Sequence, residues 1–99
     1  MIVVLSRFVV VEGIAEAVKT AFLARPHLVE HAPGFIRMEV LRPHGSPEEF
    51  WLMTWWQDEA SFVAWHRSHA YHEAHQGMPK GLKLVPGSTE IRRFDVIAE

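Results

Sequence analysis

Residues Ile2 to Val11 read IVVLSRFVVV, and the architecture turns on how that stretch is read. Ile2, Val4, Phe8 and Val10 occupy one parity; Val3, Leu5, Val9 and Val11 occupy the other. A β-branched run apolar on both parities is the pattern of a strand covered on both faces. Ser6 and Arg7 are its only polar interruptions. Phe50 to Trp56 repeats the pattern, with Phe50, Leu52 and Trp56 set against Trp51, Met53 and Trp55.

The segments between these strands complete the order. Glu12-Gly13 ends the first strand, and Ile14, Val18, Ala21 and Phe22 recur at helical spacing. Pro26 breaks that helix by removing a backbone donor, and Leu28 and Val29 resume it before the stop at Ala32-Pro33-Gly34. Ile36, Met38 and Val40 alternate with Arg37, Glu39 and Leu41 as a second strand, followed by turn chemistry at Pro43-His44-Gly45-Ser46-Pro47. Asp58 can cap a second helix running from Glu59 to about Gln76, with a break near Ser68. Gly77 to Gly87 reads as a loop, and Thr89 to Ile97 as a last, more charged strand.

The resulting β-α-β-β-α-β order is the split βαβ pattern of the ferredoxin-like α+β fold. Two helices on one face of a four-stranded sheet leave the other face bare. An apolar bare face of that size calls for a second copy packed sheet to sheet, so a homodimer with an extended hydrophobic interface is expected.

Composition narrows the function. The 99 residues make a single domain, 1–99, with 48% hydrophobic and 22% charged residues. A formal charge of −2 offers no basic surface for nucleic acid. The absence of cysteine removes disulfides, thiolate metal sites and a thiol nucleophile. Arg7 interrupts the apolar N-terminal run, which is too short to span a bilayer, so a cytoplasmic protein without membrane association is expected.

Histidines are the conspicuous polar feature. His66, His69, His72 and His75 stand three apart, so consecutive members lie about 60° apart around a helix and the four cannot share one face. His27 and His31 lie four apart without the His-Glu-x-x-His arrangement of a zinc helix. Solvated helix histidines account for most of them.

His75 stands apart because of its setting. The phrase Ser61-Phe-Val-Ala-Trp65-His-Arg-Ser-His-Ala-Tyr-His-Glu-Ala-His75 resembles the second-helix motif of the antibiotic biosynthesis monooxygenase superfamily, in particular its heme-degrading, IsdG-like branch. Met53-Thr54-Trp55-Trp56-Gln57-Asp58-Glu59-Ala60 resembles that family's third strand and helix entry, and Pro33-Gly34-Phe35 its lead-in to the second strand. The resemblance implies a dimeric α+β barrel, the architecture that the bare sheet face also requires. It implies heme as both substrate and cofactor, with O2 and an external electron donor, supplied by a reductase whose identity is open. His75 takes the place of the iron-binding imidazole and Trp65 that of the catalytic helix tryptophan. The family's first-strand asparagine falls on Ser6, before Arg7, and this chain contains no asparagine.

The residue types suit that chemistry. A neutral imidazole binds iron and leaves the opposite axial position open. A flat apolar macrocycle wants aromatic and aliphatic walls, and a tryptophan near its face can distort it. Ser6 can donate one hydrogen bond, with a shorter reach than an amide. Arg7 is a candidate partner for a heme propionate, or else pairs with a carboxylate across the sheet. Two other readings stay open: a cofactor-free monooxygenase acting on quinols or polycyclic phenols, and a heme-binding or carrier dimer without turnover.

Overall fold

The computed structural model describes residues 1–25, 27–68 and 84–99. In chain order its elements are β1 (Ile2–Val9), α1 (Ala15–Leu23), a 3-10 turn (Val29–His31), β2 (Phe35–Leu41), β3 (Glu49–Trp56), α2 (Glu59–His66) and β4 (Glu90–Asp95). The strands form one sheet in the order β2-β3-β1-β4, with every neighbouring pair antiparallel. This is the expected ferredoxin-like α+β arrangement. The doubly apolar runs, β1 and β3, are its two central strands, and the helices cover only one of the two apolar faces.

Register fixes which residues share a face. Ile2, Val4, Ser6 and Phe8 lie opposite Trp56, Thr54, Leu52 and Phe50 of β3, and Ser6 also lies opposite Ile91 of β4. This is the helix-covered side, where two separate clusters form the core. Under α1, Val18 is fully buried among Phe8, Val10 and Phe50, with Phe22 against them. The Phe8 and Phe50 rings stack 5.5 Å apart. Under α2, Phe62 and Trp65 join Ile2, Val4, Val29 and Trp56. Trp56 has no exposed surface and meets Phe35 and Phe62 edge-on at 5.4 and 5.7 Å.

Local chemistry sets the element ends. The Asp58 carboxylate accepts the Ser61 amide at 2.8 Å and the Ser61 hydroxyl at 2.7 Å, capping α2 as its sequence position implies. Those hydrogen bonds hold the Asp58 pKa below its ordinary value. Gly34 combines a φ of +82° with a close approach to Ser61, whose hydroxyl a side chain at this position would strike. That is the physical content of Pro33-Gly34-Phe35: a turn that tucks the chain beneath the first turn of α2.

Several boundaries differ from expectation. β2 carries a bulge between Phe35 and Arg37, so Phe35 joins Met38 and Val40 on the helix side and Ile36 becomes the extra, exposed residue. The simple alternation from Ile36 onward therefore does not begin where the sequence pattern places it. After Pro26 the chain resumes only as the short 3-10 turn. β4 stops at Asp95, and Ile97 is almost fully exposed. The second helix is described to His66; the expectation that it continues to Gln76, and most of the Gly77–Gly87 loop, fall outside the described residues. No helix among the described residues is long and apolar enough to cross a membrane.

Candidate functional site

The two core clusters occupy opposite ends of the helix-covered side and leave a seam between them. The row of sheet positions along that seam is Val40, Leu52, Ser6 and Ile91, taken from β2 to β4. Val40 and Ile91 are 38% and 51% exposed, whereas Val4 and Phe8, on either side of Ser6, are buried. The seam is therefore an apolar floor that keeps accessible surface.

Ser6 is the only polar side chain that β1 directs to this side. Its hydroxyl has no hydrogen-bond partner among the described residues. Thr54 makes the contrast: one register step away, its hydroxyl accepts the Trp56 indole N–H at 2.9 Å and donates to the Val4 carbonyl at 3.5 Å. Thr54 is tied into the fold through its hydroxyl, whereas Ser6 is not tied to another described residue.

Trp65 reaches the same side from α2. It is 9% exposed and shares its cluster with Val4, the residue next to Ser6 on that face. Its backbone carbonyl accepts the Ser68 hydroxyl at 2.6 Å, tying the end of α2 together. The other flank of α2 borders a separate open groove of about 520 Å³, between the helix and the segment holding Leu28, His31 and Pro33. Ser6 does not line that groove. Trp65 thus borders the groove on one flank and packs toward Val4 on the sheet on the other.

Arg7 points the other way. It lies opposite Trp51 on the bare side of the sheet, where Nε donates to Glu49 Oε2 at 3.1 Å and Nη1 donates to the Ser88 carbonyl at 3.0 Å. The Trp51 indole N–H donates to the same Glu49 oxygen at 2.7 Å. The Arg7 guanidinium, followed by the Trp51 indole, holds the Glu49 carboxyl below its ordinary pKa. The carboxylate pairing across the sheet is what the structure shows. It does not bring Arg7 together with Ser6 and Trp65, because adjacent strand residues face opposite sides. A cation that is on the helix side, and that the sequence reading passed over, is Arg93. It lies opposite Val4, two residues along β4 from Ile91.

His75, the expected iron ligand, lies outside the described residues, as do His69 and His72. His66 is exposed, its ring tilted against Phe62 at 5.6 Å. His27 is exposed and lies 3.4 Å from Glu30. Among the described residues no group of three or more His, Asp or Glu side chains is placed to hold a metal ion.

The structure thus defines a ferredoxin-like α+β domain with an apolar, serine-bearing row of sheet positions on its helix side. The chain belongs to the antibiotic biosynthesis monooxygenase family, whose model matches residues 1–77. It is 37% identical over 83 residues to a staphylobilin-producing heme oxygenase of Staphylococcus haemolyticus, covering 81% of this chain and 78% of that one. It is 28% identical over 89 residues to a mycobilin-producing heme oxygenase of Mycobacterium tuberculosis, covering 88% and 80%. Among solved structures it matches the heme-degrader MhuD of M. tuberculosis with two hemes bound in its active site. That match has a TM-score of 0.81 and 26% identity, over 100% of this chain and 98% of that one. The cofactor-independent oxygenase SnoaB of Streptomyces nogalater shares the fold at a TM-score of 0.78, with 17% identity over 99% and 94% of the two chains.

Proposed function

We propose that this chain binds heme in the seam and degrades it oxidatively, using O2 and an external electron donor, as a homodimer. The observation that carries the reading is the Ser6 hydroxyl on an apolar row of the helix side, next along the strand face to Val4 of the Trp65 cluster, in a chain whose curated relatives are heme oxygenases. A porphyrin is flat and largely apolar, so an apolar floor with one donor fits it. Bound heme would supply the redox centre at which oxygen is activated.

The protein's part is placement. Leu52, Ile91 and Val40 offer the apolar floor, from which a bound macrocycle would displace water. Trp65, held by its cluster, forms a rigid wall against which the macrocycle is shaped. Ser6 donates a hydrogen bond toward the reacting side of the ligand, from a strand fixed on both flanks. His75 is assigned the iron-ligating imidazole on the strength of the family resemblance.

A hemin titration of the purified protein, followed by visible absorption beside His75→Ala, tests this. One heme per chain with a Soret band altered in the variant is expected, followed by oxygen-dependent loss of the band when a reductant is added. Absence of specific binding would remove the reading.

The same serine favours a second reading, a heme-binding protein with slow turnover, because a hydroxyl reaches less far than the amide it replaces. Ser6→Asn distinguishes the two: faster loss of the Soret band identifies the serine as limiting, and no change makes it incidental.

A further inference from the structure

We propose that Arg93 anchors the anionic edge of the porphyrin and thereby selects a dicarboxylate macrocycle over its uncharged analogues. This inference rests on the heme reading above and adds a specificity residue to it. Heme presents two carboxylates on one edge, and an apolar seam alone gives that edge nothing to recognise. The cation must stand on the helix side of the sheet, at a border of the seam, with its charge accessible.

Arg93 meets these conditions. It sits on the edge strand β4, in register with Val4 and two residues from Ile91, about 7 Å along the strand. Its guanidinium lies 5.2 Å from the centre of the Phe62 ring, on the helix that also carries Trp65. Stacking on an aromatic face leaves the N–H fork of an arginine free to meet a carboxylate edge-on. Its partner in this structure is Glu59, 3.4 Å away, and the two side chains are 47% and 66% exposed. An ion pair that open to water is weak, so an incoming carboxylate can displace Glu59 at small cost. Asp95 lies on the same side of β4 and, with Glu59, sets the local repulsion that the cation must overcome.

Three other arginines do not fill this role. Arg92 points to the opposite side of β4, over Phe94. Arg7 is held by Glu49 and Ser88 on the bare side. Arg25 is held by Glu30 at 2.6 and 3.3 Å.

Hemin and its dimethyl ester, which lacks both carboxylate charges, separate anchoring from general fit. Each is titrated into wild type, Arg93→Gln, Arg93→Lys and Glu59→Gln, read by quenching of tryptophan fluorescence and by absorption. Arg93→Gln should weaken hemin about fivefold and leave the ester unchanged. Arg93→Lys should recover most of the loss, since it keeps the charge. Glu59→Gln should tighten hemin by removing the competitor. Wild-type binding of hemin with Arg93→Gln indifferent, or with both porphyrins weakened alike, overturns the anchor and leaves the heme reading standing. Failure of wild type to bind either porphyrin overturns the heme reading and the anchor with it.

Discussion

The two faces of the central strands β1 and β3 are comparably apolar and end in different states. On the helix side, Val4, Phe50 and Trp56 are 3%, 2% and 0% exposed. On the other, Trp51, Met53 and Trp55 remain only half-buried, and Phe94 is 38% exposed. Arginines partly shade the bare side, with the Arg37 guanidinium 4.0 Å from the Trp55 ring centre and that of Arg7 6.0 Å from Trp51. The helix side buries its two clusters within one chain, whereas the tryptophans of the bare side keep part of their surface open. The residue that breaks apolarity on each side differs accordingly. Ser6 faces the seam under the helices, while Arg7 is paired with Glu49 and Ser88 on the other side.

Adjacent tryptophans measure that difference most directly. Trp56→Ala removes a fully buried ring from the α2 cluster and should cost about 3–5 kcal/mol in urea unfolding. The same truncation at Trp55 removes a half-buried ring and should cost a fraction of that in dilute, monomeric protein. Equal losses at low concentration would break the comparison, since they would mean that the bare side is already a finished core.

Assembly is the next test. Leu5 lies opposite Met53 in the middle of the bare side. Leu5→Glu places a carboxylate where a partner sheet would have to cover it, which a buried interface does not tolerate. Sedimentation equilibrium should find wild type as a dimer and the variant as a monomer with its helix-side core intact. A monomeric wild type would remove the second copy from the reading.

Much of this was legible in the chain. Two-parity apolar runs marked β1 and β3 as strands apolar on both faces, which pairing then places at the centre of the sheet, and Asp58 marked the start of α2. The bulge at Phe35–Arg37 was not legible, because a one-residue insertion leaves no compositional trace and shows only in register. The site divided along the same line. Ser6 announced itself as a polar residue in an apolar strand, but which side it faced relative to the helices depended on packing. Arg7 carried the same sequence signal, and register sends it to the opposite side. Arg93 was hidden in a strand with charge at most positions, where only pairing with Val4 distinguishes it from Arg92.

The smallest expected effect concerns two arginine–carboxylate pairs, Arg25–Glu30 beside the 3-10 turn and Arg7–Glu49 on the bare side. Arg25 holds Glu30 chiefly through its side-chain hydrogen bonds and lowers the carboxyl from 4.5 to about 2. A depressed carboxylate pKa stabilises the fold above the unfolded value and loses that contribution as pH falls from about 4.5 through about 2. Because the Glu30 side chain is 34% exposed, screening should hold the effect below about 1 kcal/mol. The stability difference between wild type and Glu30→Gln should therefore shrink as urea unfolding is repeated from pH 6 down to pH 3. Glu49 shifts in the same direction, but it lies on the bare side, beside the surface a second copy would cover. Covering that surface removes water from around the Arg7–Glu49 pair and strengthens it. Glu49→Gln should consequently alter the acid sensitivity of dimer dissociation, whereas Glu30→Gln should alter only unfolding. If both variants act on unfolding alone, the second surface does not reach Arg7.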